Sequence, residues 1–225
     1  MIAGLDAGPP GRLAGVMNDA NDDLDAVYAL KSPGDNRRHY DDWAETYDSQ
    51  FVKDMDYVLP ERVAAAFAKA APEGPVLDVG AGTGLVGETL ARLGVGPVDR
   101  TDISPGMLEA AAQKSVYARL FAGDLLGRLP CDDGAYGSAV SAGTFTNGHV
   151  GPDGIDEVLR VVRNGGLIAL SINGMHWEKA GFRAKFEALG AQIADFRLEE
   201  VRYYGDQATG AHATDTGWIA MFRRA

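Results

Sequence analysis

After Pro75 the chain alternates short apolar runs with amphipathic stretches, a rhythm that predicts βαβ units around a parallel sheet. The runs near 75–79, 97–102, 117–121, 136–142 and 166–172 have the length and composition of strands. Helices are expected between them near 84–93, 105–114, 153–163 and 177–189. Ser104-Pro105 opens the second of these with a good N-cap and a first-turn proline. The rhythm changes at the end, where 196–204 and 218–224 read as strands joined by a Gly-rich loop with no room for a helix. A hairpin is therefore expected to close the sheet.

The first third of the chain is helical in pattern. Leu24, Val27 and Tyr28 share one face of a stretch over 19–30, which Ser32-Pro33-Gly34-Asp35 is expected to break. A second helical stretch starts near Asn36 and sets Tyr40, Trp43, Ala44 and Tyr47 at spacings that put two tyrosines and a tryptophan on one stripe. Read alone, such a stripe is core. Pro60 fits the first turn of a helix through Ala71, with Val63, Ala64, Phe67 and Ala70 inward and Pro72 ending it. Residues 1–16 are rich in Gly, Ala and Pro and are expected to be disordered or to precede a native start at Met17.

Composition narrows the function. A chain of 225 residues with 46% hydrophobic content can bury one substantial core, so 1–225 is expected to be a single domain. A net charge of −11 argues against a broad nucleic-acid surface, which needs clustered Lys and Arg. The single cysteine, Cys131, excludes an internal disulfide and a multi-thiolate metal site, and no metal is expected. No apolar run approaches the ~20 residues of a membrane span, nor does a basic region precede a hydrophobic block at the N-terminus. A cytoplasmic protein, monomeric or homodimeric, with no membrane partner is the expectation.

The chemistry gathers at strand ends. In Val76-Leu77-Asp78-Val79-Gly80-Ala81-Gly82-Thr83-Gly84 an apolar run holding one carboxylate leads into alternating glycines, which permit positive φ and close approach of a ligand. Gly82-Thr83-Gly84-Leu85-Val86-Gly87 also matches the dinucleotide string G-x-G-x-x-G. Register opposes that reading: a dinucleotide turn starting at Gly80 needs glycine where Leu85 stands, and one starting at Gly82 leaves Asp78 unexplained. Asp102, ending the second strand before Ile103-Ser104-Pro105, can accept hydrogen bonds from ribose hydroxyls. Gly123-Asp124-Leu125, after the third strand, can accept from an adenine amine. Open α/β sheets bind ligands at these carboxyl ends. Beyond the fourth strand, His149 in Thr146-Asn147-Gly148-His149-Val150-Gly151 is the best placed general base, with His176 beside Trp177 next.

In these motifs the chain resembles the class I S-adenosylmethionine-dependent methyltransferases over about residues 36–225. Tyr40-Asp41-Asp42-Trp43-Ala44-Glu45-Thr46-Tyr47-Asp48, Ser141-Ala142-Gly143-Thr144-Phe145, His149-Val150-Gly151-Pro152, Trp177-Glu178 and Gly181-Phe182 resemble a subgroup that includes the methyltransferase-like 27 (Williams-Beuren region) proteins. The resemblance implies an α/β, Rossmann-like three-layer sandwich. Its seven-stranded, mostly parallel sheet would have order 3-2-1-4-5-7-6 and an antiparallel last hairpin, with 17–72 forming a helical cap and 73–225 the core. It implies S-adenosylmethionine as methyl donor and S-adenosylhomocysteine as product. Gly80, Ala81, Gly82 and Gly84 would hold the methionine portion, with Asp78 taking its ammonium. Asp102 would hold the ribose, and Gly123 with Asp124 the adenine. Ile103, Met107, Leu125, Ser141 and Ala142 complete the expected contacts, with Tyr40, Trp43 and Tyr47 covering them. Asn164 stands where a proline is usual before Gly165-Gly166, and the turn is expected to survive.

The expected acceptor is a small molecule. The chain lacks an Asn-Pro-Pro-Tyr string after the fourth strand, and Phe51, Tyr57, Phe145, Trp177 and Tyr204 offer apolar walls under a roof from residues 19–60. The rival readings are a nicotinamide-dependent oxidoreductase and a non-catalytic S-adenosylmethionine-binding regulatory protein.

Overall fold

The computed structural model describes Leu30 and residues 32–225. Segment 1–16 and, but for Leu30, the stretch expected to be helical over 19–30 lie outside the described residues. In chain order the elements are α1 (Pro33–Trp43), α2 (Phe51–Asp54), α3 (Leu59–Lys69), β1 (Val76–Val79), α4 (Leu85–Arg92), β2 (Val98–Asp102), α5 (Pro105–Ala112), β3 (Arg119–Ala122), β4 (Tyr136–Phe145), α6 (Gly154–Val161), β5 (Val162–Asn173), α7 (Gly174–Ala180), α8 (Phe182–Leu189), β6 (Ile193–Arg202) and β7 (Thr216–Arg224).

The strands form one seven-stranded sheet in the order β3-β2-β1-β4-β5-β7-β6, as expected. Strands β1 to β5 run parallel, and β7 pairs antiparallel with both β5 and β6. Side-chain alternation divides the core between the two faces. Leu77, Val79, Ile168, Leu170 and Ile172 pack with α6, α7 and α8 through Val158, Trp177 and Phe186. Val76, Val140, Leu167 and Ala169 pack with α3 and α4 through Val63, Phe67, Val86 and Leu90. Among the described residues no helix is long and apolar enough to cross a membrane.

Several boundaries differ from expectation for local reasons. Ser32-Pro33 starts α1 instead of breaking a helix: the Ser32 side chain accepts from the Asp35 amide, and Pro33 sits in the first turn, where no amide is needed. Helix α1 ends at Trp43, so Tyr47 lies in the following turns. The aromatic stripe continues there through ring contacts, with centroids 4.9 Å apart for Trp43–Tyr47 and 5.1 Å for Tyr47–Phe51. The helix expected over 177–189 is two helices hinged at Gly181, whose φ of 85° suits glycine. Asn164-Gly165-Gly166 falls within β5 as an irregularity: Val162 pairs with Tyr136 and Leu167 with Ser138, the slack being absorbed around Gly165 at φ 81°. The N-terminal segment meets the far end of the sheet where the Val58 amide donates to the Tyr203 carbonyl at 2.9 Å.

Candidate functional site

The loop leaving β1 holds Gly80, Gly82 and Gly84 at φ 62°, 54° and 93°, a conformation that favours glycine at each step. A side chain at Gly80 would collide with Thr144, whose Oγ1 would lie 2.1 Å from the added carbon, whereas one at Gly82 would enter open space. Gly82 is thus where bare backbone faces open cavity. Its amide donates to Asp102 Oδ2 at 2.8 Å, and the Ser104 amide donates to Oδ1 at 2.9 Å. Burial pushes the Asp102 carboxyl up, against the opposing pull of these amides and Arg100. The carboxylate is locked at the end of β2 with lone pairs remaining for further donors.

A cavity opens above this loop. Gly80, Ala81, Gly82, Asp102, Ile103, Met107, Gly123, Asp124, Leu125, Ala142 and His149 line one part of it, and Tyr40, Trp43 and Tyr47 line another. Phe51, Tyr57, Phe145 and Tyr204 are also in its wall. Asp124 Oδ1 accepts from the Leu126 amide at 2.9 Å, which fixes the turn after β3.

Asp78, Gly84, Ser141 and His176 stand outside the lining. Asp78 shares the face of Val76, and its Oδ2 accepts from the Tyr117 hydroxyl at 2.7 Å. Tyr117 in turn accepts from the Gly87 amide at 3.2 Å, so the buried acid braces the start of α4 from behind. Gly84 backs onto Ala111 and Tyr117. Ser141 donates to the Val79 carbonyl at 2.7 Å. His176 Nε2 lies 3.0 Å from the Val150 carbonyl oxygen. Trp177, expected as an acceptor wall, is instead core, stacked on Phe182 and Phe186.

The His149 ring is bonded at both nitrogens. Nδ1 lies 2.9 Å from the Asn147 carbonyl oxygen and Nε2 lies 2.9 Å from the Tyr40 hydroxyl. A carbonyl only accepts, so Nδ1 carries the proton and Nε2 of the neutral ring accepts from Tyr40. Burial pulls the imidazole pKa down and so favours this neutral form, with the Asn147 bond partly opposing it.

Several residues that sequence reasoning passed over hold the N-terminal segment on the site. Asp41 Oδ1 accepts from Ser104 Oγ at 2.7 Å and from the Gly106 amide at 2.9 Å. Thr83 Oγ1 donates to Asp48 at 2.5 Å, and Lys114 bridges Asp48 and Glu88. Asn36 Nδ2 donates to the Gly148 carbonyl at 2.9 Å. These partners are distant in sequence, so no local spacing announces them. Only the Ser104-Pro105 helix start pointed to an N-terminus able to take an acid such as Asp41.

Comparison with known proteins agrees with this geometry. Residues 76–166 match the family described as "Methyltransferase domain". Human methyltransferase-like protein 27 is 34% identical over 152 residues, which cover 65% of this chain and 61% of that protein. The chain thus spans under two thirds of that relative's length. A demethylmenaquinone methyltransferase of Beutenbergia cavernae is 32% identical over 211 residues, covering 84% of each chain. Among solved structures, a TehB-like SAM-dependent methyltransferase of Corynebacterium glutamicum superposes with a TM-score of 0.58 at 24% identity, covering 84% of this chain and 99% of that one.

Proposed function

The chain belongs to the class I S-adenosylmethionine-dependent methyltransferases, and from that premise we propose that it methylates a small organic acceptor held between the glycine loop and α1. Membership of this family speaks against the oxidoreductase reading and favours methyl transfer over the non-catalytic one. The acceptor is inferred from the cavity. One continuous cavity is floored by Gly80, Gly82 and Asp102 and walled by Tyr40, Tyr57, Phe145 and Tyr204, which fits a modest, partly apolar molecule.

The residues present fit the donor. Asp102 keeps acceptor capacity for ribose hydroxyls, and Asp124 keeps its second oxygen for an adenine amine. The open space over Gly82 admits the methionine portion, and the faces of Tyr40, Trp43 and Tyr47 suit a cation. Asp78 is assigned to bracing the loop through Tyr117, with Ser141 tying β4 to the end of β1. S-adenosylmethionine supplies a methyl group activated by its sulfonium. The protein's part is to align the acceptor, exclude water beneath α1 and take up a proton at His149 Nε2 where the acceptor releases one. We read the described residues up to 72, within the 17–72 expected as a cap, as covering the site, and 73–225 as the core of a single domain.

The test is to incubate the enzyme and tritiated methyl donor with a cell extract separated by size. Label in the low-mass, solvent-extractable fraction is expected. Label confined to protein or RNA would overturn the small acceptor.

A further inference from the structure

We propose that Tyr40 is a catalytic residue that passes the proton of a neutral, phenol-type acceptor to His149. This rests on the methyl-transfer reading above and names the acceptor class of the same cavity. Tyr40 and His149 both line the cavity, and their side chains are in direct contact. With Nδ1 committed to Asn147, the Tyr40 hydroxyl donates to Nε2 and its oxygen can accept from a ligand hydroxyl.

Two further observations point to the ligand. Asn36 is buried and lines the same cavity; its amide nitrogen is spent on Gly148, and among the described residues its Oδ1 has no hydrogen-bond partner. A buried acceptor of that kind calls for an O–H or N–H donor. Among the described residues the lining contains no Lys or Arg, its formal charges are Asp102 and Asp124, and the chain carries −11 overall. An anionic acceptor would find no counter-ion among those side chains. The acceptor therefore enters neutral and gives up its proton inside. A phenol matches the acidity of tyrosine itself, about pKa 10, so handing its proton to Tyr40 is close to even in energy, whereas an aliphatic alcohol is far less acidic. A neutral amine needs no deprotonation before attack and would leave the pair idle.

The step balances. The acceptor proton moves to Tyr40 Oη as the Tyr40 proton moves to His149 Nε2, and an acceptor oxygen pair forms the O–CH3 bond. The S–CH3 pair leaves with sulfur, giving a neutral thioether, and the positive charge passes to the imidazolium, held at Nδ1 by Asn147. Water then takes the extra proton through Tyr40. The other titratable rings acting on His149 are His39 and His176, both of which disfavour its charged form and so favour prompt release.

The full-length enzyme is offered phenol, naphthol, para-hydroxybenzoate and aniline with tritiated S-adenosylmethionine, while naphthol binding to donor-free protein is followed by fluorescence. The neutral phenols should bind and be methylated on oxygen, with para-hydroxybenzoate and aniline slower by about tenfold or more. Tyr40→Phe and His149→Gln should each lower kcat about a hundredfold while donor affinity stays within about threefold. Their residual rate should climb with pH where the wild type is level. In donor-free Tyr40→Phe the nitrogen NMR signal of His149 Nε2 should move toward that of a ring nitrogen with no donor. Methylation of aniline as fast as phenol, no neutral phenol methylated by protein that binds the donor, or full kcat in Tyr40→Phe would overturn the relay. Protein that does not bind the donor would overturn the methyl-transfer reading, and the relay with it.

Discussion

Asp78 shows how far one residue can be read. An acid among strand residues must find partners, and the sequence makes that demand plain. Strand alternation puts Asp78 on the face of Val76, toward α3 and α4, and its partner Tyr117 lies just before β3 with no local signal to mark it. The consequence is a titration. Burial pushes the carboxyl up to about 7, against the opposing pull of the Tyr117 bond and Arg100. In the unfolded chain the same group titrates near ~3.9, so the folded state binds its proton more tightly. That stabilisation is complete below the unfolded value and disappears as pH rises through the folded one. A shift of this size corresponds to about 4 kcal/mol across the window. Asp78→Asn keeps the shape and cannot titrate. Thermal melts of both proteins should show the wild type losing ground to the variant from about pH 4 to about pH 8. A difference independent of pH would mean that the carboxyl titrates normally.

Element by element, the sheet was the most legible part. Parallel strands are covered on both faces and so read as plain apolar runs, and all the expected strands and the closing hairpin are present. The helices were harder because their limits depend on single capping contacts. Ser32-Pro33-Gly34 and Ser104-Pro105-Gly106 are the same device, yet the first follows a helical pattern and so looked like a break, whereas the second follows a strand and so looked like a start. How α1 docks was not legible at all, since it depends on Asp41 meeting the first turn of α5. Burial pushes the Asp41 carboxyl up, but the bonds from Ser104 and Gly106 and the nearby Arg37 prevail and hold it below the usual range. This acid both satisfies helix N-terminal donors and complements their dipole, an effect of about 1–2 kcal/mol. Asp41→Ala should therefore loosen α1 without unfolding the sheet. Hydrogen exchange should quicken about tenfold at the amides of 36–47 and stay unchanged in β1, β4 and β5. Unchanged exchange in α1 would show that the ring contacts of Trp43 and Tyr47 hold it alone.

On the scale of the whole molecule, the field selects among ligands that share the pocket. The chain carries −11, and the formal charges in the described lining are Asp102 and Asp124. S-adenosylmethionine bears a sulfonium, an ammonium and a carboxylate, a net charge of about +1, whereas S-adenosylhomocysteine is close to neutral overall, its amino and carboxyl groups cancelling. The two fill nearly the same volume, so packing and the Asp102 and Asp124 hydrogen bonds barely distinguish them. The long-range attraction does, and salt screens it over a Debye length of about 10 Å at ~0.1 M. Raising ionic strength from about 0.03 M to about 0.5 M should then raise the Kd of the donor several-fold and slow its association, leaving the Kd of the product nearly constant. Calorimetry at both salt levels measures this directly. Parallel changes for the two ligands would place the discrimination in local contacts with the sulfonium. The aromatic faces of Tyr40, Trp43 and Tyr47 would then carry it, since a cation held on desolvated rings is little screened.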